Sequence, residues 1–66
     1  MTAQQQELFN SAQHLMKMVN DDGLSPQVRG AAYYRMMDLR AILEDEYHIQ
    51  TTIIYGQIAV VRQEYA

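Results

Sequence analysis

His14 and His48 are the only imidazoles of this 66-residue chain, and histidine is a common metal ligand and acid–base group. Glu44 and His48 are four positions apart, so on one helix both side chains could share a face and contact one metal ion. Two ligands make an incomplete metal site, and a histidine near a helix end commonly interacts with the helix dipole instead. We therefore expect no metal site and no cofactor.

A short acidic run at residues 44–46 is the other candidate for acid–base chemistry. Adjacent helix positions point in different directions, so these carboxylates do not face a common substrate, and a solvated helix end is the better interpretation. The chain also has no cysteine, no Ser-His-Asp order and no Gly-rich phosphate loop. These features predict a protein that is not an enzyme.

Tyrosine and arginine residues form the strongest candidate for a binding surface. Both types are enriched in interface hot spots, because a rigid ring or a planar guanidinium combines contact area with directed hydrogen bonds. Tyr33 lies away from the core arc of its predicted helix, and Tyr55 and Arg62 follow in the next segment. The same side chains could instead complete an internal or subunit interface, or bind a phosphate-bearing ligand.

The elements that position these residues begin with two well-marked helices. A capping-box pattern at residues 2–5, followed by apolar residues at helical spacing, predicts a helix over residues 3–20. Ser25 and Pro26 are typical of a helix start and predict a second helix over residues 26–47. The short polar turn between the two favours an antiparallel helical hairpin.

The last segment, residues 50–66, is ambiguous between helix and strand. Its β-branched residues favour a strand by propensity, but apolar residues alternate poorly, and Ile54 and Ile58 fit helical spacing better. Gly56 alone is too short for a two-residue hairpin turn, so we do not expect a β-hairpin. We predict a third helix over residues 52–64, and one long strand that pairs with another chain is the alternative.

Together these elements predict an all-α fold in one domain over residues 1–66, an antiparallel helical hairpin plus a third C-terminal helix. The second helix also carries a row of residues opposite its core arc: Gly30, Tyr34, Met37 and Ala41. The core of a 66-residue chain seldom supplies more than about 3–5 kcal/mol of stability unless a disulfide, a metal ion or association adds to it. We therefore expect a homodimer or higher oligomer, and a monomeric bundle whose third helix covers the row is the alternative.

The charge and composition of the chain limit the classes of partner that we expect. The net charge of −3 argues against nucleic acid as a partner, since nucleic-acid binding normally shows a basic footprint. No apolar run approaches the roughly 18 residues that span a bilayer, and the N-terminus is not a signal peptide, so we expect a cytoplasmic protein without membrane contact.

The function expected from these features is that of a small regulator, adaptor or inhibitor. It would self-associate and bind another protein through the helix face that bears Tyr, Arg and Met, as a phage-type or plasmid-type host-interaction factor of this size could. The alternative is an oligomeric sponge for a small anionic ligand such as a nucleotide signal. The residues expected at the binding or subunit interface are Arg29, Gly30, Tyr33, Tyr34, Met37, Arg40, Ala41, Tyr55 and Arg62.

Overall fold

The computed structural model describes residues 1–64, and Tyr65 and Ala66 at the end of the predicted C-terminal segment lie outside the described residues. The elements in chain order are α1 (Ala3–Val19), α2 (Pro26–Tyr47), β1 (Ile49–Ile54) and β2 (Gln57–Gln63). The two helices match their predicted ranges to within one residue. Within residues 1–64, neither helix is both long enough and apolar enough to cross a membrane.

Both helices begin at the predicted capping residues. Thr2 Oγ1 accepts a hydrogen bond from the backbone N–H of Gln5 at 3.2 Å, and Gln5 Oε1 accepts one from the N–H of Thr2 at 2.9 Å. At α2, Ser25 Oγ accepts from the N–H of Val28 at 3.3 Å, and Pro26 follows at the first helical position. These side chains satisfy N–H groups that have no partner inside the helix.

The prediction of an all-α helical bundle with a third helix over residues 52–64 is wrong, and so is the alternative of one long intermolecular strand. β1 and β2 form a two-stranded antiparallel sheet within the chain, so the fold is α+β. Tyr55 and Gly56 form the two-residue turn, and their φ angles of 51° and 73° have the positive sign that a type I′ turn requires. The helix prediction fails because it counted Gly56 as the only turn residue, whereas Tyr55 is the second residue of the turn.

A β-bulge explains why the apolar residues of this segment alternate poorly. Thr51 pairs with Val60 and the adjacent Gln50 pairs with Arg62, which leaves Val61 without a partner. One extra residue on a strand shifts the alternation of side chains beyond it by one position. The period-two pattern that would identify β2 is therefore interrupted in the middle of the strand.

A small core lies between the helical hairpin and the β-hairpin. The sheet is placed with β1 against α2 and β2 against α1. Its two buried residues join six buried residues from the helices. The buried apolar residues are Ala12, Met16, Ala32, Met36, Leu39, Leu43, Ile49 and Ile58.

Two helix side chains cover parts of the two sheet edges. Gln13 accepts a hydrogen bond from the N–H of Ile58 at 2.9 Å and donates one to its carbonyl at 2.7 Å, as a neighbouring strand would. On the other edge, Arg40 donates to Thr51 Oγ1 at 2.9 Å and to the Thr51 carbonyl at 2.8 Å. Because these backbone groups are occupied, further strands are hindered from adding at either position.

Asn20, directly after α1, holds the turn of the β-hairpin. Its side-chain amide donates to the carbonyl of Gly56 at 2.9 Å. A Cβ at Gly56 would lie 2.8 Å from Asn20 Nδ2, in addition to the strain of a positive φ. Glycine is therefore favoured at this turn position, because a side chain would be strained by the positive φ and would have to displace the Asn20 amide from its hydrogen bond.

Candidate protein interface

One face of α2 has no covering element within the described residues. We call it the outer face of α2 and define it by Gly30, Tyr34, Met37 and Ala41. At 100° per residue, these positions occupy an arc of about 60°, almost opposite the four buried residues of the same helix. Tyr34 is 72% exposed and Met37 is 37% exposed. The row that the sequence singled out is thus accessible along its length.

Gly30 has open space where a side chain would stand. No heavy atom lies within 4 Å of a Cβ built at this position, and its φ is not in the left-handed region. Glycine in a helix interior is about 1 kcal/mol less favourable than alanine. Neither the backbone nor the packing of this chain therefore accounts for glycine here. Close approach of another molecule would account for it.

Tyr33 extends the aromatic surface beside the outer face. Its ring meets the ring of Tyr34 edge to face, with centroids 5.8 Å apart and planes at 80°. This arrangement is among the favourable geometries for aromatic pairs. Both rings are exposed, so the pair presents two preordered aromatic groups to solvent.

Arg29 is engaged inside the chain. Its Nε donates to the carbonyl of Val19 at 2.9 Å, which gives a partner to a backbone acceptor at the C-terminal end of α1. Its Nη2 is 3.8 Å from the carboxylate of Asp22, an ion pair at the surface. Arg29 therefore stabilises the turn between the helices in this structure.

The other predicted arginines do not join Arg29 at a common site. Arg40 is about 16 Å further along α2 and is bonded to β1, as described above. Arg62 is exposed and pairs with Glu64 at 2.8 Å. Tyr55 is at the turn of the β-hairpin, about 20 Å along the strand from Arg62. The structure thus separates side chains that the sequence grouped.

The tip of the β-hairpin is a second uncovered surface, which we define by Ile54 and Tyr55. Tyr55 is 100% exposed, and Ile54 is also exposed. A bulky residue with positive φ is a conformational outlier, and asparagine or aspartate would suit this turn position better. Backbone strain of this kind is often found at functional positions. The sequence named Tyr55 as a candidate but did not locate it in a turn.

The charges of α2 are arranged against its own dipole. The first turn of α2 has no acidic residue and its last turn has no basic residue, while Glu44 and Asp45 lie near the C-terminal end. Carboxylates near a helix C-terminus are unfavourable.

Glu44 and Asp45, with His48 and Glu64, line a cleft that also contains Arg62. Among residues 1–64, no three acidic or histidine side chains are placed to hold a metal ion.

The chain as a whole has more surface than its mass predicts. Its accessible area is 4644 Å², against about 4,300 Å² for a typical protein of 7.7 kDa. Its radius of gyration is 12.1 Å, against about 10.8 Å for a typical 66-residue domain.

Comparisons with protein-family models, curated proteins and solved structures find no match to the chain.

Proposed function

We propose that the protein is a small, non-catalytic binding protein that self-associates and acts on another protein in the cytoplasm as a regulator, adaptor or inhibitor. The observation that carries this proposal is the uncovered outer face of α2. Contiguous apolar patches on small proteins usually mark interaction sites. A small single core also gains stability when a second molecule covers such a face.

The tip of the β-hairpin supports the second part of the proposal, contact with a different protein. Tyr55 projects fully into solvent from a turn that favours smaller residues. Exposed tyrosines contribute strongly to binding when they enter an apolar pocket of a partner. The tip therefore supplies one anchoring side chain, held at a fixed position by Asn20.

Enclosure of a small anionic ligand has less support. Such a site needs guanidinium groups that converge with free donors. Arg29 and Arg40 are bonded to backbone carbonyls at separate places, and Arg62 is paired with Glu64. The arrangement of these side chains favours contact with protein over an anion sponge.

The self-association part is tested by Met37→Glu, with Ala31→Glu on the exposed polar side of α2 as the matched control. A carboxylate at position 37 is tolerated in the isolated chain. Arg40 Nη1 lies 3.2 Å from the Met37 sulfur, so the Arg40 guanidinium can pair with a glutamate carboxylate at this position. We expect light scattering to show a wild-type mass above 7.7 kDa, retained by Ala31→Glu and lost by Met37→Glu. Equal masses for all three proteins would contradict this use of the outer face.

The partner-binding part is tested by Tyr55→Asn, which removes the ring and suits the turn. We expect a protein captured from the native host by the wild-type chain to be released by Tyr55→Asn but retained by Tyr55→Phe. Circular dichroism of both variants checks that they stay folded. Identical capture by the wild type and Tyr55→Asn would exclude the tip as the binding surface.

A further inference from the structure

We infer that the molecule covering the outer face of α2 is a second copy of the same face, with the two α2 helices antiparallel. The two-fold axis of this pair passes between residues 35 and 36. The inference rests on the self-association proposed above. It adds which surface of the second copy covers the outer face of α2 and how the two helices are oriented. Three independent features of α2 support it: the positions of the face residues, the unexplained glycine and the distribution of charge.

The positions of the outer face are symmetric about that axis. Gly30 and Ala41 are equally far from it along the helix, and so are Tyr34 and Met37. In an antiparallel pair, Gly30 therefore lies level with Ala41 of the partner subunit, and Tyr34 lies level with Met37 of the partner subunit. A face that is its own complement under this rotation is what a two-fold interface requires.

The sizes of the side chains suit this arrangement. On the helical wheel Gly30 and Ala41 lie near the middle of the face, with Met37 about 30° to one side and Tyr34 about 30° to the other. The small residues allow the helix axes to approach to about 8–9 Å. The larger side chains then fill the two sides of the contact. The open space around Gly30 is thereby used by the partner helix.

The charges of α2 distinguish antiparallel from parallel pairing. Glu44 and Asp45 lie level with residues 27 and 26 of the partner, in the first turn of its α2, at the positive end of the helix dipole. That first turn has no acidic residue of its own. In a parallel pair, the acidic ends of both helices would instead lie side by side. Antiparallel pairing thus brings acidic side chains to a helix end that has none of its own.

Cysteine cross-linking tests the geometry, because the chain has no cysteine of its own. Two copies of residue 37 lie on the same side of the plane that contains the two helix axes, with Cα atoms about 6 Å apart, within the range of a disulfide. Two copies of residue 41 are about 16 Å apart along the helices, too far to join. We expect Met37→Cys to form a disulfide-linked dimer under mild oxidation and Ala41→Cys to remain unlinked.

The outcomes separate this inference from the function on which it rests. Cross-linking of Ala41→Cys as well would indicate parallel helices and overturn the inference. An associated wild-type chain in which Met37→Cys does not cross-link would also overturn it, while leaving self-association in place. A wild-type chain and a Met37→Cys variant that are both monomeric would overturn the self-association proposal itself.

Discussion

The helical hairpin and the β-hairpin are held by different kinds of interaction. The helices contribute six of the eight apolar residues that are buried within residues 1–64, and their N-terminal ends are fixed by local caps. The β-hairpin contributes only Ile49 and Ile58 to the core. It is attached in addition by polar side chains of Gln13, Asn20 and Arg40 that bond to strand or turn backbone.

This difference indicates how stability is divided. Removal of a buried helix side chain affects the packing that all elements share. Removal of a polar attachment releases a strand while most of the helix contact remains. We therefore expect core substitutions to lower the stability of the whole chain and attachment substitutions to act first on the β-hairpin.

The largest effect is expected from Met36→Ala compared with its neighbour Met37→Ala. Met36 is 0% exposed, so its truncation leaves a cavity and lowers the free energy of unfolding by about 2–5 kcal/mol. Met37 lies on the outer face, and its truncation mainly weakens association. Urea denaturation at two protein concentrations distinguishes them, because only the loss at position 37 depends on concentration. A larger concentration-independent loss at position 37 would contradict the assignment of the two faces.

An intermediate effect is expected from Arg40→Ala. It removes two charge-assisted hydrogen bonds to Thr51, which together stabilise the β-hairpin by about 1–3 kcal/mol. Relative to the wild type, the substitution should accelerate amide hydrogen exchange more in β1 and β2 than in α1. Arg35→Ala is the control, because it removes an exposed arginine side chain from the same helix. Equal acceleration in strands and helices would show that the β-hairpin is not a separately released unit.

The smallest effects, of opposite sign, are expected at the two turn residues. Tyr55→Asn should raise the melting temperature slightly, with a gain of about 0.5–1 kcal/mol, because asparagine adopts positive φ with less strain. Gly56→Ala should lower the melting temperature, since its Cβ would meet Asn20 and positive φ disfavours alanine. Thermal melts followed by circular dichroism measure both. A loss of stability in Tyr55→Asn would mean that the tyrosine ring stabilises the turn.

The helical half was predictable because its signals are local. The capping box and the Ser-Pro start each involve residues within a few positions of one another, and the apolar spacing is uninterrupted. The β half was not predictable in the same way. The bulge at Val61 interrupts its alternation, and the turn uses Tyr55 where asparagine or glycine would be the recognisable residue.

The candidate interface was predictable only in part. The spacing of Gly30, Tyr34, Met37 and Ala41 places them on one face from the sequence alone. The roles of Arg29 and Arg40 depend on contacts with Val19 and Thr51, ten and eleven positions away. Such contacts depend on how the elements pack and have no local sequence signal.

The central claim is that a second molecule of this protein covers the outer face of α2. Sedimentation equilibrium of the wild-type chain at micromolar concentration measures this most directly, since it gives the mass without a label or substitution. We expect a mass of about twice the 7.7 kDa of the single chain, shifting toward the monomer on dilution. A mass of 7.7 kDa at every concentration up to the millimolar range would contradict the claim.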